Sequence, residues 1–500
     1  MNLAILFSFF FLLLGIRTAL WHLQNWQIRE YRWDRLKAYF TTREGVKNLV
    51  NLWFFRGVLP RPRKSGRVFM ILGIFIFLSG YIFFNGRDVA MLRPYKIDSI
   101  VLILIWERTI WLTVGISVFL SKLPVWLAQK IIFRKAKNII DHSKNITRIG
   151  ITGSYGKSST KEILVHLLTS KFGKENVLFN PENQNNEVAI ARLVLKNKKF
   201  FENPPLTPPF SKGEDKDKNI KKMFFFVEIG AYKRGEIRGV CDFIQPHIGI
   251  LTGINSQHIS LFGSQKNIQR AKFELAESAS EKVFFNASSP LLQEIFDDRD
   301  IYATKIPLSS ASIKDTKAEQ NKTEFSLYGE HMTLPWGGEF FIQNALLAAE
   351  TARELGLTPK EIKTSLAQLP PLTRALTVES HRSGAMILYD LYSANPDGVL
   401  SAIDHLRRVK GKKIFIGMPL LELGKESKNV HERIFKSLAE AGAEVFWLKK
   451  DHAQLGQGIC GKRFHGHDTK ALKTMIKRLQ KDDAILLESR LPEYVIQLFS

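Results

Sequence analysis

The chain has only two cysteines, Cys241 and Cys460, in 500 residues. That excludes a disulfide scaffold and any four-cysteine zinc or iron–sulfur site, and the simplest compartment is a reducing one. Acidic residues are also scarce, 48 Asp and Glu against 72 Lys and Arg, for a net charge of +24. No Gly-x-Gly-x-x-Gly follows the first strand of either α/β stretch, at 147–151 or at 385–391, which argues against a dinucleotide site. Hydrophobic residues make up 45% and charged residues 24%, so the chain is neither disordered, collagen-like nor a coiled-coil rod. Its length suits about three domains.

Excess positive charge first suggests nucleic acid, but its distribution points elsewhere. Seven of the nine tryptophans (Trp21, Trp26, Trp33, Trp53, Trp106, Trp111 and Trp126) lie in the first 126 residues, together with the longest apolar runs. A Trp-rich, apolar, basic N-terminus is the composition of a membrane region, with lipid rather than nucleic acid as partner. Three transmembrane helices are expected at about 2–20, 68–85 and 100–120 within a membrane region 1–120. The first lacks a basic n-region and a small-residue cleavage site, which favours an uncleaved anchor over a signal peptide. The third is interrupted by Glu107 and Arg108, a pair that either contacts a lipid or partner inside the membrane or sits near an interface because the helix tilts. The stretch 17–67 carries twelve Lys and Arg against Glu30, Asp34 and Glu44. The positive-inside rule therefore places the N-terminus outside and everything after residue 120 in the cytoplasm. A basic linker, 121–145, is expected to follow.

Past residue 146 the pattern becomes that of an α/β protein with a mostly parallel sheet. A short apolar strand at 147–151 runs into Gly153-Ser154-Tyr155-Gly156-Lys157-Ser158-Ser159 and then a helix. Strand, glycine-rich turn, Lys-Ser and helix form a phosphate cradle for ATP. Glycines admit backbone N–H groups to phosphate oxygens, Lys157 supplies a point charge, and the Ser158 hydroxyl is placed to ligate Mg²⁺. The spacing departs from the standard phosphate loop because Ile151 stands at one of its positions. Strand 224–229 ends near Glu228, where a carboxylate reaches a metal. From 385 onward, strands at 385–391, 413–416, 444–448 and 484–487 alternate with helices at 397–408, 429–441 and 469–480, the pattern of a Rossmann-like domain. Leu-Pro-Pro-Leu at 369–372 reads as a hinge, and the Pro-rich, charged stretch 202–221 as a flexible insertion.

These segments resemble, in order, the Mur ligases, the ATP-dependent amide ligases of peptidoglycan precursor synthesis, and most closely the branch that adds D-alanyl-D-alanine. Residues 150–160 resemble the family's phosphate loop. Asn183-Gln184-Asn185-Asn186-Glu187 resembles its Asn-Asn-Glu-Ile, and Glu228-Ile229-Gly230-Ala231 with Gly235-Glu236-Ile237 resembles its Glu-Met-Gly-Ala and Gly-Glu-Ile. His258, Phe262-Gly263-Ser264 and Ala271-Lys272 resemble its His, Phe-Gly-Ser and Ala-Lys run. Asn344-Ala345-Leu346, Arg374 and Asp390-Leu391-Tyr392-Ser393-Ala394-Asn395-Pro396 complete the series. The resemblance implies an ATP-binding central domain at 146–368 and a C-terminal domain at 369–500. It implies catalytic roles for Lys157, Glu228, His258 and Lys272, the last carbamylated. Nucleotide contacts would come from Gly153, Ser154, Gly156, Lys157, Ser158, Ser159, Asn344, Arg374 and Asp390, and Mg²⁺ ligands from Ser158, Glu228 and His258. Asn185, Asn186, Tyr392 and Asn395 would meet substrate.

The reaction implied is phosphorylation of a carboxylate by ATP, attack of an amine on the acyl phosphate, and release of phosphate. The enzyme expected is a membrane-anchored, bacterial inner-membrane ligase with cytoplasmic catalytic domains. Its partners would be a lipid-linked or nucleotide-linked cell-wall precursor and a dipeptide amine.

The sequence departs from the family in several places. Membrane-type segments replace the UDP-sugar-binding domain. Phe340 stands at the adenine-side His, Ser393 at an Asn, and Gly417-Met418-Pro419 at Gly-Asp-Met. Leu487-Glu488-Ser489 replaces a late Lys-Gly-Ser. The last two lie on the amine side. A γ-glutamyl-polymer-type ligase and an ATP-binding membrane scaffold without turnover are the alternatives.

Overall fold

In the computed structural model the described residues are 3–29, 31–40, 62–85, 99–143, 145–181, 184–202, 222–319, 322–370, 377–391, 395–420, 423–489 and 491–499. The hinge beyond 370, the insertion 203–221, and Asn183, Arg374 and Tyr392 lie outside them. The chain divides into two compact units, residues 1–134 and 135–500.

The first unit is helical. Helices α1 (Leu3–Ile28), α2 (Trp33–Phe40), α3 (Gly66–Asn85) and α4 (Ser99–Leu120) cover the three apolar runs. Ala19, Leu23, Trp26, Leu36, Ile71, Phe75, Ile110, Val114 and Val118 form its core. Hydroxyls on α4 are satisfied within the helix: Thr113 Oγ1 donates to the Ile110 carbonyl at 3.0 Å and Ser117 Oγ to the Thr113 carbonyl at 2.8 Å. Among the described residues one helical run, Ile110–Asp141, is long and apolar enough to cross a membrane, and Gly66–Ser79 is apolar but shorter. The stretch read as a basic linker is largely helix, α5 (Lys122–Asp141).

The second unit holds two α/β sheets. The central sheet contains β1 (Ile146–Thr152), β2 (Val177–Phe179), β3 (Met223–Glu228), β4 (Ile248–Leu251), β5 (Lys282–Asn286) and β6 (Thr304–Leu308), in spatial order 2-3-1-4-5-6. Every neighbouring pair is parallel. Continuous apolar strands such as Met-Phe-Phe-Phe-Val suit a sheet covered on both faces. Helix α6 (Lys157–Phe172) packs its Ile163, Leu164, Leu167 and Leu168 against one face.

An antiparallel meander, β7 (Lys314–Ala318), β8 (Thr323–Leu327) and β9 (Glu330–Leu334), follows. Its short strands alternate with exposed polar residues, and the sequence pattern alone did not separate them from loop.

The C-terminal sheet has the order β10 (Thr377–Ser380), β11 (Met386–Asp390), β14 (Ala484–Glu488), β12 (Lys413–Gly417) and β13 (Glu444–Trp447). It is parallel except for β10. Separate apolar clusters cover its two faces, as expected of a doubly wound domain. Glu228 and Asp390, both singled out from the sequence, fall at carboxyl ends of strands, one in each sheet, where open α/β sheets bind ligands.

Candidate functional site

Strand β1 is buried along its whole length. Its carboxyl end feeds the glycine loop at the centre of the sheet, between β3 and β4. The loop is stapled by the residues that follow β4. Ser154 N donates to the Gly253 carbonyl at 2.7 Å. Thr252 Oγ1 donates to the Thr152 carbonyl at 3.3 Å and also to that of Tyr155. Two glycines are required sterically: a Cβ at Gly153 would lie 2.1 Å from Thr252 Oγ1, and one at Gly156 2.5 Å from Asn344 Oδ1. Gly156 also caps α6 in the left-handed region at φ 76°.

Lys157 Nζ folds back onto the loop, donating to the Gly153 carbonyl at 2.7 Å and the Ser154 carbonyl at 3.4 Å. Burial lowers its pKa; the Glu228 carboxylate opposes that shift and Lys161 adds to it. Ser158 is exposed at the start of α6, with Ser159 half-buried beside it. Asn344, on helix α13 (Phe340–Glu354), accepts from Thr160 Oγ1 at 3.3 Å and so backs the loop from below.

Glu228 ends β3 and is 4% exposed. Ser158 Oγ donates to its two carboxylate oxygens at 3.2 and 3.3 Å, and Lys161 Nζ to one of them at 2.8 Å. Asn180 grips the same residue's backbone, accepting from Glu228 N at 2.8 Å and donating to its carbonyl at 3.0 Å. Burial alone would push the Glu228 carboxyl up. Lys161 first, then Lys157, and the hydrogen bonds from Lys161 and Ser158 outweigh it, so the group is held below the usual carboxylate range.

Lys161, buried on the turn of α6 after Lys157, had no role in the sequence reading. Its signal was position: four residues beyond Lys157, it shares that helix face. Asn180 and Thr252 were missed because no local pattern marks a residue that acts on a distant loop. Asn185 takes part through its backbone, its carbonyl accepting from Gly230 N at 2.9 Å. Asn186 caps helix α7 (Glu187–Lys196), its side chain accepting from Ala189 N at 3.0 Å.

His258 is half-buried with φ 62°, and its ring stands edge-on to Tyr232 at 4.9 Å between centroids. Lys272, on helix α11 (Gln265–Ser278), is 4% exposed. Burial, reinforced by Lys157 and opposed by Glu236, Glu274 and Glu228, brings its pKa down to about 7. Among the described residues no group of three or more His, Cys, Asp or Glu is gathered as a metal cluster. A divalent cation here would rely on a hydroxyl and a carboxylate, Ser158 and Glu228, completed by phosphate and water oxygens. That hard-oxygen donor set suits Mg²⁺. The steric cradle at Gly153 and Gly156, with a cation resting on neutral carbonyls, likewise fits the phosphates of a nucleotide.

The C-terminal domain supplies the facing wall. Asn255, just past β4, donates through Nδ2 to Asn395 Oδ1 at 3.2 Å and to Asp397 Oδ2 at 2.8 Å. Asn395 also caps helix α15 (Pro396–Arg407), accepting from Gly398 N at 3.0 Å. Asp390 and Glu488 are register partners at the ends of β11 and β14, 4% and 1% exposed. One Glu488 carboxylate oxygen has no hydrogen-bond partner. Burial, then the Asp390 carboxylate, pushes the Glu488 carboxyl well above its ordinary range. Of the expected site, the structure thus brings Gly153, Gly156, Lys157, Ser158, Glu228 and Asn344 together and sets Asn395 across the domain junction.

Residues 151–352 match the Mur ligase middle domain and residues 374–491 the Mur ligase, glutamate ligase domain. The UDP-N-acetylmuramoyl-tripeptide--D-alanyl-D-alanine ligase of Haemophilus influenzae is 26% identical over 354 residues, covering 69% of this chain and 70% of that protein. The Escherichia coli enzyme of the same name is 25% identical, covering 68% and 72%. Among solved structures, MurF from Acinetobacter baumannii aligns with a TM-score of 0.62 at 20% identity, over 74% of this chain and 79% of that one. MurF ligase from Thermotoga maritima in complex with ADP aligns with a TM-score of 0.59 at 23% identity, over 74% and 83%. These structures share the fold.

Proposed function

The chain belongs to the Mur ligase family, ATP- and Mg²⁺-dependent ligases that form amide bonds in peptidoglycan synthesis, and from that premise we propose that it is a membrane-anchored ligase joining an amine of the D-alanyl-D-alanine type to the carboxylate of a muramoyl-peptide precursor. The observation that carries this reading is the glycine loop stapled by Thr252 and Gly253, with Lys157 across it and Ser158 hydrogen-bonded to Glu228. ATP supplies the phosphoryl group that turns the substrate carboxylate into an acyl phosphate, and Mg²⁺ neutralises charge on the phosphates. Phosphoryl transfer asks mainly for positioning and charge neutralisation. Lys157 and the loop hold the phosphates. Ser158 and Glu228 hold the cation, with Lys161 keeping Glu228 ionised. Asn344 and, from the C-terminal domain, Arg374 and Asp390 meet the nucleotide. His258 and Lys272 flank the reacting end, where Lys272, neutral in good part near pH 7, is able to take up CO₂ as a carbamate. Asn185, Asn186, Tyr392 and Asn395 face the substrates.

The amine side departs most from the family, at residues 417–424 and at Glu488, so the amine is where this chain's specificity would differ from that of its relatives. The first unit replaces the sugar-nucleotide domain, and its three apolar helices support an anchor in the cytoplasmic membrane with the catalytic domains in the cytoplasm. The basic stretch 17–67 and the apolar surface favour a carboxylate substrate presented at the membrane. The test is phosphate release and product formation by the full chain with ATP, Mg²⁺ and D-alanyl-D-alanine, supplied with either UDP-N-acetylmuramoyl-tripeptide or its lipid-linked counterpart. Product from the lipid-linked acceptor alone supports the membrane substrate. Equal product from the soluble acceptor removes it and leaves the ligase. Nucleotide binding without phosphate release from any acceptor replaces the ligase by a scaffold.

A further inference from the structure

Helix α4 was expected to leave the membrane at Leu120, where the apolar run stops. The surface does not change there. Trp111, Leu112, Ile116, Phe119 and Leu120 on α4 are 42–67% exposed, and Leu123, Trp126, Leu127 and Ile131 on α5 are 48–64% exposed. From Leu112 to Ile131 these residues are spaced three, four or one apart, so they share one face of the helical run. The run is nearly unbroken across the junction: Ser121 N donates to the Ser117 carbonyl at 3.0 Å and Val125 N to the Ser121 carbonyl at 3.3 Å. The opposite face of α4, with Ile110, Val114, Ser117 and Val118, and Ser121 just beyond it, is buried at 1% exposure or less. Outward apolar side chains over a packed inner face suit a helix with protein on one side and hydrocarbon on the other.

The stripe ends in a boundary. Lys130 Nζ lies 3.8 Å from the centroid of the Trp126 ring. Arg134, on the same face, is exposed, and exposed Lys135 and Lys137 follow in sequence. Tryptophan beside lysine, one apolar and one polar, is the chemistry of a headgroup layer. Lys122 interrupts the stripe's flank with its ammonium 5.3 Å from the Phe119 ring centroid, a charge shielded by an aromatic face.

We infer that the cytoplasmic headgroup plane of the bilayer crosses the chain at Trp126–Lys130 rather than at Leu120, with Lys130 and Arg134 against lipid phosphates. This rests on the membrane reading above. A hydrocarbon core about 30 Å thick takes about 20 helical residues. Counted back from Leu127, that core begins next to Glu107 and Arg108. The two charges in the middle of the expected span then fall at the opposite interface, where they cost little. The same shift leaves fifteen residues between Lys130 and Ile146, where the first strand of the central sheet begins, most of them helical. The membrane surface and the ligase therefore follow each other closely along the chain.

The experiment uses the full chain in phosphatidylcholine–phosphatidylglycerol nanodiscs. Cysteines are introduced singly, Phe119→Cys and Leu127→Cys, and labelled with an environment-sensitive fluorophore. Cys241 and Cys460 are buried and their thiols pushed up to about 12 and about 11, so they stay unlabelled. Lipids spin-labelled near the chain middle and near the carbonyl report depth. The inference expects position 119 to be quenched at least twofold more by the deep label and position 127 at least twofold more by the shallow one. Shallow quenching at 119 with none at 127 returns the boundary to Leu120 and overturns the inference, while the membrane reading stands. No quenching at either position overturns both.

Discussion

Replacing Lys161 by Met tests whether the phosphate loop and the Glu228 carboxylate form one electrostatic unit. The Lys161 ammonium and Glu228 carboxylate are 2.8 Å apart, with side chains only 3% and 5% exposed. Removing one partner of a buried pair costs about 3–5 kcal/mol, because the other charge stays buried and uncompensated. Here Ser158 and the more distant Lys157 remain, so the lower end, about 3 kcal/mol, is expected. At about 2–4 °C per kcal/mol for a domain of this size, Tm falls by roughly 6–12 °C.

The pH dependence carries the sharper signature. In the native protein Glu228 is held below its unfolded value. Its contribution to stability is present above the unfolded carboxylate pKa of about 4.3 and lost as pH falls through the folded value. In Lys161→Met, the main opposition to burial is gone and the carboxyl is pushed up, so the variant gains by protonating it. The Tm gap between variant and native chain should therefore be widest near pH 8 and narrow toward pH 5. Thermal unfolding in detergent followed by intrinsic fluorescence measures both. A loss under 2 °C, or a gap that does not change between pH 5 and pH 8, would refute the reasoning. The double variant Lys161→Met, Glu228→Gln should lose less than the two single losses added, since each single change leaves the other group stranded.

Lys157→Ala should bind Mg-ATP weakly and lower turnover by at least a hundredfold with little change in Tm; a folded variant with normal phosphate release would remove the loop assignment. Because the Lys272 amine has a pKa of about 7, labelled bicarbonate should give a carbamate resonance by ¹³C NMR that grows between pH 6 and pH 8 and is missing in Lys272→Arg, whose guanidinium never becomes neutral. Glu488→Gln should be indistinguishable in Tm from the native chain near pH 4. Raised above its unfolded value, the native carboxyl keeps its full contribution in acid and loses it as pH climbs through the raised pKa, so the variant should be more stable by about 1–3 kcal/mol at pH 8; a destabilised variant at pH 8 would show that Glu488 serves the fold as an anion. A reporter fused after Ser500 should be active only on the cytoplasmic side of the membrane; activity on the outer side would invert the topology.

What the sequence by itself determined is what local pattern can carry. Continuous apolar runs such as 224–227 and 484–487 specify buried parallel strands. The order of motifs from Gly153 to Asn395 specifies the family. Glycines at 153 and 156, set before Lys157 and Ser158, specify a phosphate cradle. Apolar length and tryptophan content marked helices α1, α3 and α4. The tertiary structure decided everything that depends on residues distant in sequence. Lys161 becomes the counter-charge of Glu228 only because β3 lies beside β1. Thr252 and Asn180 hold backbone 97 and 48 residues away, and no spacing rule encodes such a reach. Asn186, marked in its motif as a substrate residue, also caps a helix in the fold, since an amide side chain before a helix satisfies a free backbone N–H. Glu488 reads as a departure from a motif until pairing of β14 with β11 places it against Asp390. The apolar stripe across Ser121 is likewise a property of a helix surface. In the sequence Lys122 breaks the run, whereas around a turn of 3.6 residues it falls beside the stripe and the exposed face continues to Lys130.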